Sequence, residues 1–151
     1  MKLTLREVTC KDVPELVDLR MDFLNEISST PLPTNLKGNI EEYLNKSLVN
    51  GTCFGLVAED HNHIIAKGLI CTYEVLPDEY CPNGIIGKLY SIYTILEARG
   101  QGIMSELIIK LIELAKKKGI QHLYLAAEEK AIPLYKRIGF KLLENEMKLK
   151  E

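Results

Sequence analysis

A short basic turn with two glycines, Arg99-Gly100-Gln101-Gly102-Ile103-Met104, separates two segments of opposite period. Before it lies an apolar, β-prone run, Leu89-Tyr90-Ser91-Ile92-Tyr93-Thr94-Ile95. After it the apolar positions fall at 103, 104, 107, 108, 111, 112, 114 and 115, a helical stripe wide enough to pack on a sheet. The next β-prone run, His122–Ala127, then pairs parallel to the first through a right-handed crossover. A strand–turn–helix junction of this kind narrows the folds open to the chain. It also carries chemistry. Glycine lets a ligand approach the backbone closely, and the first helical turn offers unpaired N–H groups and a positive dipole end. The turn is therefore either a cradle for a phosphate-bearing ligand or a simple connection.

The 151 residues form one expected domain, 1–151, long enough for a hydrophobic core without staples. A formal net charge of -2 gives no basic surface for nucleic acid. No apolar run approaches the ~18 residues that span a bilayer, so no membrane partner is expected. The opening Met1-Lys2-Leu3-Thr4-Leu5-Arg6 lacks the long apolar core of a signal peptide. Cysteines at 10, 53, 71 and 81 show no Cys-x-x-Cys spacing and read as reduced, small core residues, with Cys81 the loop exception. A cytoplasmic location is the expectation.

Lys2–Val8 alternates apolar and polar residues as a half-buried strand does. Thr9–Asp12 open a helix that ends near Ser28, and Ser28–Gly38 reads as a loop. A shorter helix spans about Asn39–Asn50, closed by Gly51. Cys53–Ala58 and His63–Tyr73 form an antiparallel hairpin around residues 59–62. Pro77–Gly87 is a loop, and Lys88–Ile95 is the strand before the glycine turn. Lys116–Lys118 and Gly119 close the long helix. The pattern ends with His122–Ala127, a helix over about Lys130–Ile138, and a final strand over Phe140–Leu149. Helices thus fall early and between strands, around a mixed sheet with a central parallel pair. His61 and His63 are too few to argue for a metal, and none is expected.

Two familiar phosphate loops fit poorly. A P-loop needs Gly-Lys-Ser/Thr, and a dinucleotide turn needs a third glycine where this chain has Ser105. The segment Ala131-Ile132-Pro133-Leu134-Tyr135-Lys136-Arg137-Ile138-Gly139-Phe140 decides between the alternatives. Together with the glycine turn it resembles the GNAT superfamily of acyl-CoA-dependent N-acetyltransferases. Arg99 and Gly102 match that family's Arg/Gln-x-x-Gly-x-Gly/Ala motif. Ala131, Leu134, Tyr135, Gly139 and Phe140 match its Ala-x-x-Leu-Tyr-x-x-x-Gly-Phe pattern. The order of elements fits over essentially the whole chain.

The resemblance implies an α+β, mixed α/β fold: a central, mostly antiparallel sheet with a splayed parallel strand pair and helices on both faces. It implies acetyl-CoA as acyl-donor substrate, with no metal. Backbone groups of Ile92, Tyr93 and Thr94 would hold the pantetheine arm and polarise the thioester carbonyl. Arg99, Gly100, Gln101, Gly102, Ile103 and Met104 would grip the pyrophosphate, and Tyr135 would act as general acid. Met104 departs from the usual small residue, and Glu128 stands where many relatives carry asparagine. Glu74 is the candidate base, with Glu26 and Glu97 behind it. The activity implied is acetyl transfer to a primary amine of a small molecule or peptide by direct attack in a ternary complex. The alternative is a non-catalytic acyl-CoA-binding regulatory module. A homodimer follows from family habit. Acceptor choice is expected to reside in Ser28–Gly38 and Leu76–Gly87, with Tyr73, Tyr80, Tyr90 and Tyr93 as candidate pocket residues.

Overall fold

The turn at residues 59–62 joins the two central antiparallel strands of the sheet. His61 and Asn62 both adopt positive φ, 51° and 65°, the left-handed pair whose twist matches that of the strands it joins. In a computed structural model describing residues 3–151, β2 (Cys53–Asp60) and β3 (His63–Glu74) pair antiparallel across this turn. β1 (Thr4–Glu7) adds antiparallel to β2, and β4 (Ile85–Thr94) antiparallel to β3. β5 (Leu123–Tyr124) pairs parallel to β4, giving the order β1-β2-β3-β4-β5. The mixed, mostly antiparallel sheet with one parallel pair is the expected fold class. Lys2, at the head of the expected first strand, lies outside the described residues.

Alternate residues of β2 face opposite sides, and each side carries a helical layer. Cys53 and Val57 pack with Val13, Leu16 and Val17 of α1 (Val13–Ile27) and Leu44 of α2 (Leu36–Asn50). Phe54, Leu56 and Ala58 pack with Leu107, Ile108 and Leu111 of α3 (Ile103–Lys117). On that second side Tyr135 and Ile138 of α4 (Ile132–Ile138) complete the layer. At the start of α1, Arg6 of β1 bonds both Asp12 (2.7 Å) and Glu59 (2.6 Å). The guanidinium holds the Asp12 carboxyl below the usual carboxylate range.

Two elements differ from expectation. The run His122–Ala127 is a strand only at Leu123–Tyr124, because β5 leaves β4 after the pair Lys88↔Tyr124. Phe140–Leu149 forms no strand among the described residues. Phe140 packs against the α3-side core, but Leu142, Leu143, Met147 and Leu149 stay exposed and Asn145 turns at positive φ. Apolar side chains without a ladder partner or a face to bury do not hold a strand. Smaller shifts move the start of α2 back to Leu36 and of β4 back to Ile85. Cys81 is buried and Cys10 exposed, the reverse of the pattern expected from their neighbours.

A glycine in β2 is required by close approach. A Cβ at Gly55 would press on the Gly68 carbonyl oxygen and reach 2.7 Å from Leu69 Cδ2. Backbone in mid-sheet cannot yield cheaply, so Gly55→Ala should cost about 1–3 kcal/mol. Urea unfolding checks this: an unchanged midpoint would show that the β2–β3 pair has slack.

Candidate active site

The site is built where the parallel strands part. Past Lys88, the outer edge of β4 has no strand partner, because β5 pairs only at Gly87 and Lys88. The gap opens a cavity of about 240 Å³. Arg20 and Phe23 of α1 line it from one face of the sheet, Ala131 and Tyr135 from the other, and Tyr90 to Ile92 of β4 along its edge. Leu125, Ala126 and Glu128 of the segment following β5 form the opposite wall. Burial, followed by the charge of Glu128, raises the Tyr135 phenol above its ordinary value, so it stays protonated at neutral pH.

A β-bulge shapes that edge. Lys67 pairs with Tyr93 and Leu69 with Tyr90, so Ser91 and Ile92 together oppose Gly68. Ser91 takes φ 57°, uncommon for a residue other than glycine. Its hydroxyl receives a hydrogen bond from Lys67 Nζ. Lys67 is fully buried, and burial, helped by the nearby Arg20 charge, draws its ammonium down to about 7. Ser91 therefore carries a buried lysine on its hydroxyl while lining the wedge.

A second cavity of about 480 Å³ adjoins the first, and Arg20, Tyr90 and Ser91 line both. It lies between β3–β4 and the two early helices. Its wall is largely apolar, with Leu16, Ile40, Leu44 and Leu69 among the lining residues.

The glycine turn follows β4 and opens α3, and none of residues 99–104 lines either cavity. Gly100 and Gly102 lie at φ 78° and 76°, where L-residues are strained, and a Cβ on either would meet open space. They are glycines for conformation, not crowding. Gly102 precedes α3 without a side-chain cap, leaving the first helical amides free for an anion. Arg99 is exposed and folds back onto α1 and β4. Its Nε donates to the Thr94 carbonyl at 2.8 Å and its Nη2 to Glu26 at 3.0 Å. Tyr93 Oη also donates to Glu26, at 3.1 Å, and its ring packs edge-on against Phe23. Together these contacts tie the C-terminal half of α1 to the turn.

The residues named from sequence thus divide. Ile92 and Tyr135 both line the wedge, whereas the turn 99–104 stands at the start of α3 and lines neither cavity. Tyr93 and Thr94 lie in the tie to Arg99, with Thr94 Oγ1 buried and unbonded among the described residues. Glu74 is exposed at the end of β3 and lines neither cavity, Glu26 is engaged by Arg99 and Tyr93, and Glu97 is exposed. Tyr73 and Tyr90 line the larger cavity, whereas Tyr80 is exposed. Residues 28–38 and 76–87 contribute nothing to either wall. Arg20, Tyr43 and Lys67 were missed. Arg20 continues the apolar stripe 13, 16, 17 of α1, and Lys67 interrupts an apolar run; both signals stood in the chain. Among the described residues no cluster of His, Cys, Asp and Glu could hold a metal. No helix there is long and apolar enough to cross a membrane.

A family model described as the acetyltransferase (GNAT) family matches residues 14–140. The chain belongs to this family. A crystal structure of a predicted acetyltransferase with acetyl-CoA from Clostridium acetobutylicum superposes with a TM-score of 0.91 at 27% identity, covering 99% of this chain and 96% of that one. A GCN5-related N-acetyltransferase from Ralstonia eutropha shares the fold, with a TM-score of 0.88 at 22% identity and 99% coverage of both chains. Glucosamine 6-phosphate N-acetyltransferase of Trypanosoma brucei brucei is 31% identical over 64 residues, 42% of this chain and 44% of that protein. The aligned part spans less than half of that relative's length.

Proposed function

We propose that this protein transfers an acetyl group from acetyl-CoA to a primary amine by direct attack. The supporting observation is that Tyr135 lines the wedge between β4 and β5, which adjoins a second cavity through Arg20, Tyr90 and Ser91. The residues present fit such a donor. The open space over Gly100 and Gly102 and the uncapped start of α3 suit a pyrophosphate, and the unpaired edge of β4 suits an amide-bearing arm. When bound, acetyl-CoA supplies an activated thioester.

This chain's groups would do the rest. Amides of Gly102 to Met104 bind phosphate oxygens, with Arg99 and Gln101 flanking the turn. Unpaired backbone groups of Ile92, with Tyr93 and Thr94 beside it, orient the donor arm, and an N–H of Ile92 or Tyr93 polarises the thioester carbonyl. Tyr135 Oη donates its proton to the departing sulfur. The larger cavity holds the amine, which attacks without an acyl-enzyme. A pure acyl-CoA-binding module has no use for a half-buried, protonated phenol in the wedge.

Calorimetry with acetyl-CoA tests the reading. Saturable binding with a dissociation constant well below millimolar is expected, weakened by Gly102→Val, whose side chain is strained at positive φ. No heat of binding at millimolar acetyl-CoA would overturn it.

A further inference from the structure

The larger cavity has no carboxylate in its wall. Its lining includes Arg20 and no Asp or Glu. The remainder of the wall is apolar or aromatic, apart from small polar groups and the amide of Asn39. Arg20 is more than half buried, and burial lowers its pKa from the ordinary arginine value. No carboxylate pairs with it among the described residues; the acidic groups that face it are the Cys71 thiol and the Tyr90 phenol. Lys67 adds a second buried basic group nearby, bonded to Ser91. A half-buried guanidinium without a carboxylate is costly unless an anion arrives to meet it. Arginine also suits a carboxylate better than any other side chain does, because its fork matches both oxygens.

From this we infer that the acceptor is an α-amino acid with a large apolar or aromatic side chain, its carboxylate held by Arg20. The inference rests on the acetyltransferase reading above and assigns the acceptor class for that same site. Arg20 lines both cavities, so a carboxylate bound there sits at their junction. The α-amino group, two bonds from the carboxylate carbon, then lies at the mouth of the wedge, where the donor carbonyl is expected. The side chain extends the other way, against Leu16, Ile40, Leu44 and Leu69. In the reaction the amine nitrogen forms a bond to the acyl carbon as the carbon–sulfur bond breaks. The ammonium first gives one proton to solvent, the attacking nitrogen then loses a second, the sulfur receives one from Tyr135, and Tyr135 regains its proton from solvent. Polyamines and aminoglycosides, which bring several positive charges, face Arg20 with no acidic partner. A hexosamine phosphate would satisfy the guanidinium but leave its hydroxyls against an apolar wall.

The experiment measures CoA release with matched acceptors: L-leucine against 3-methylbutylamine, L-phenylalanine against 2-phenylethylamine, and glucosamine 6-phosphate. Acetyl-CoA calorimetry runs on the same preparation. Amino acids should show a KM roughly 10- to 100-fold below their decarboxylated partners, the scale of one charge-assisted ion pair. Arg20→Gln should erase that difference by raising KM for the amino acids, with the decarboxylated partners, which bring no carboxylate, as the reference. Equal KM values within each pair, an equal loss for both partners in Arg20→Gln, or preference for glucosamine 6-phosphate would overturn the acceptor class while leaving acetyl transfer intact. Absence of acetyl-CoA binding would overturn both.

Discussion

Tyr135→Phe should lower kcat by about 100-fold or more, the usual range for a positioned general acid, while acetyl-CoA affinity changes little. The substitution removes one hydroxyl and keeps the ring, which packs edge-on against Phe140 with centroids 6.0 Å apart. The wedge should therefore keep its shape, and the loss should fall on the chemical step rather than on binding. The sign of the pH effect follows from the environment. Burial first, and the Glu128 charge second, disfavour the phenolate and raise its pKa. The proton thus remains available through neutral pH, and no loss of rate from Tyr135 ionisation should begin below tyrosine's ordinary value of about 10. Steady-state kinetics with binding measured separately decides the matter. An unchanged kcat in Tyr135→Phe would remove the phenol from the mechanism.

Lys67→Met should stabilise the protein most strongly on the acid side. Lys67 is fully buried, and its ammonium is drawn from 10.5 down to about 7, by burial first and by Arg20 second. The folded pKa lies below the unfolded one. The favourable contribution is therefore complete above about 10.5, and is lost as pH falls toward and through about 7. Below that, the folded protein carries a buried charge. Methionine has similar length and no charge, so the variant escapes this penalty. The gap between variant and parent should reach a few kcal/mol near pH 6 and shrink steadily toward pH 10. Because the other titrating groups are common to both proteins, the difference between their urea midpoints isolates Lys67. A difference that stays flat from pH 6 to 10 would show that Lys67 does not titrate in that window.

Much of the fold was legible because its periodicities are local. The stripe of α3 is buried at Ile103, Leu107, Ile108, Leu111 and Ala115, positions set by the 3.6-residue repeat alone. The hairpin turn at His61–Asn62 was readable as a polar interruption between two β-prone runs. The end of the chain misled for the same reason. Residues 140–149 carry apolar Phe140, Leu142, Leu143, Met147 and Leu149, yet strand formation also needs a partner edge and a face to bury, and neither is a local property. The catalytic surroundings divide along this line too. The glycine turn and Tyr135 carry motif spacing, whereas the Ser91–Ile92 bulge exists only in the register between β3 and β4. Glu74 drew attention by its place near a strand end, but whether a residue there borders a cavity depends on how α1 and α2 cover the sheet.

By itself, the sequence determined the strand–turn–helix unit, the left-handed glycines before α3, the family and the phenol at position 135. All of these follow from short-range sterics, helical period and motif spacing. Only the tertiary structure decided where β5 parts from β4, that Arg99 bonds Glu26 and Thr94, and that Arg20 faces an apolar cavity without a carboxylate. The physical reason is that charge compensation and cavity shape are sums over residues distant in the chain. A turn declares its conformation within a few residues, while a buried cation reveals its unmet need only when every neighbour is in place.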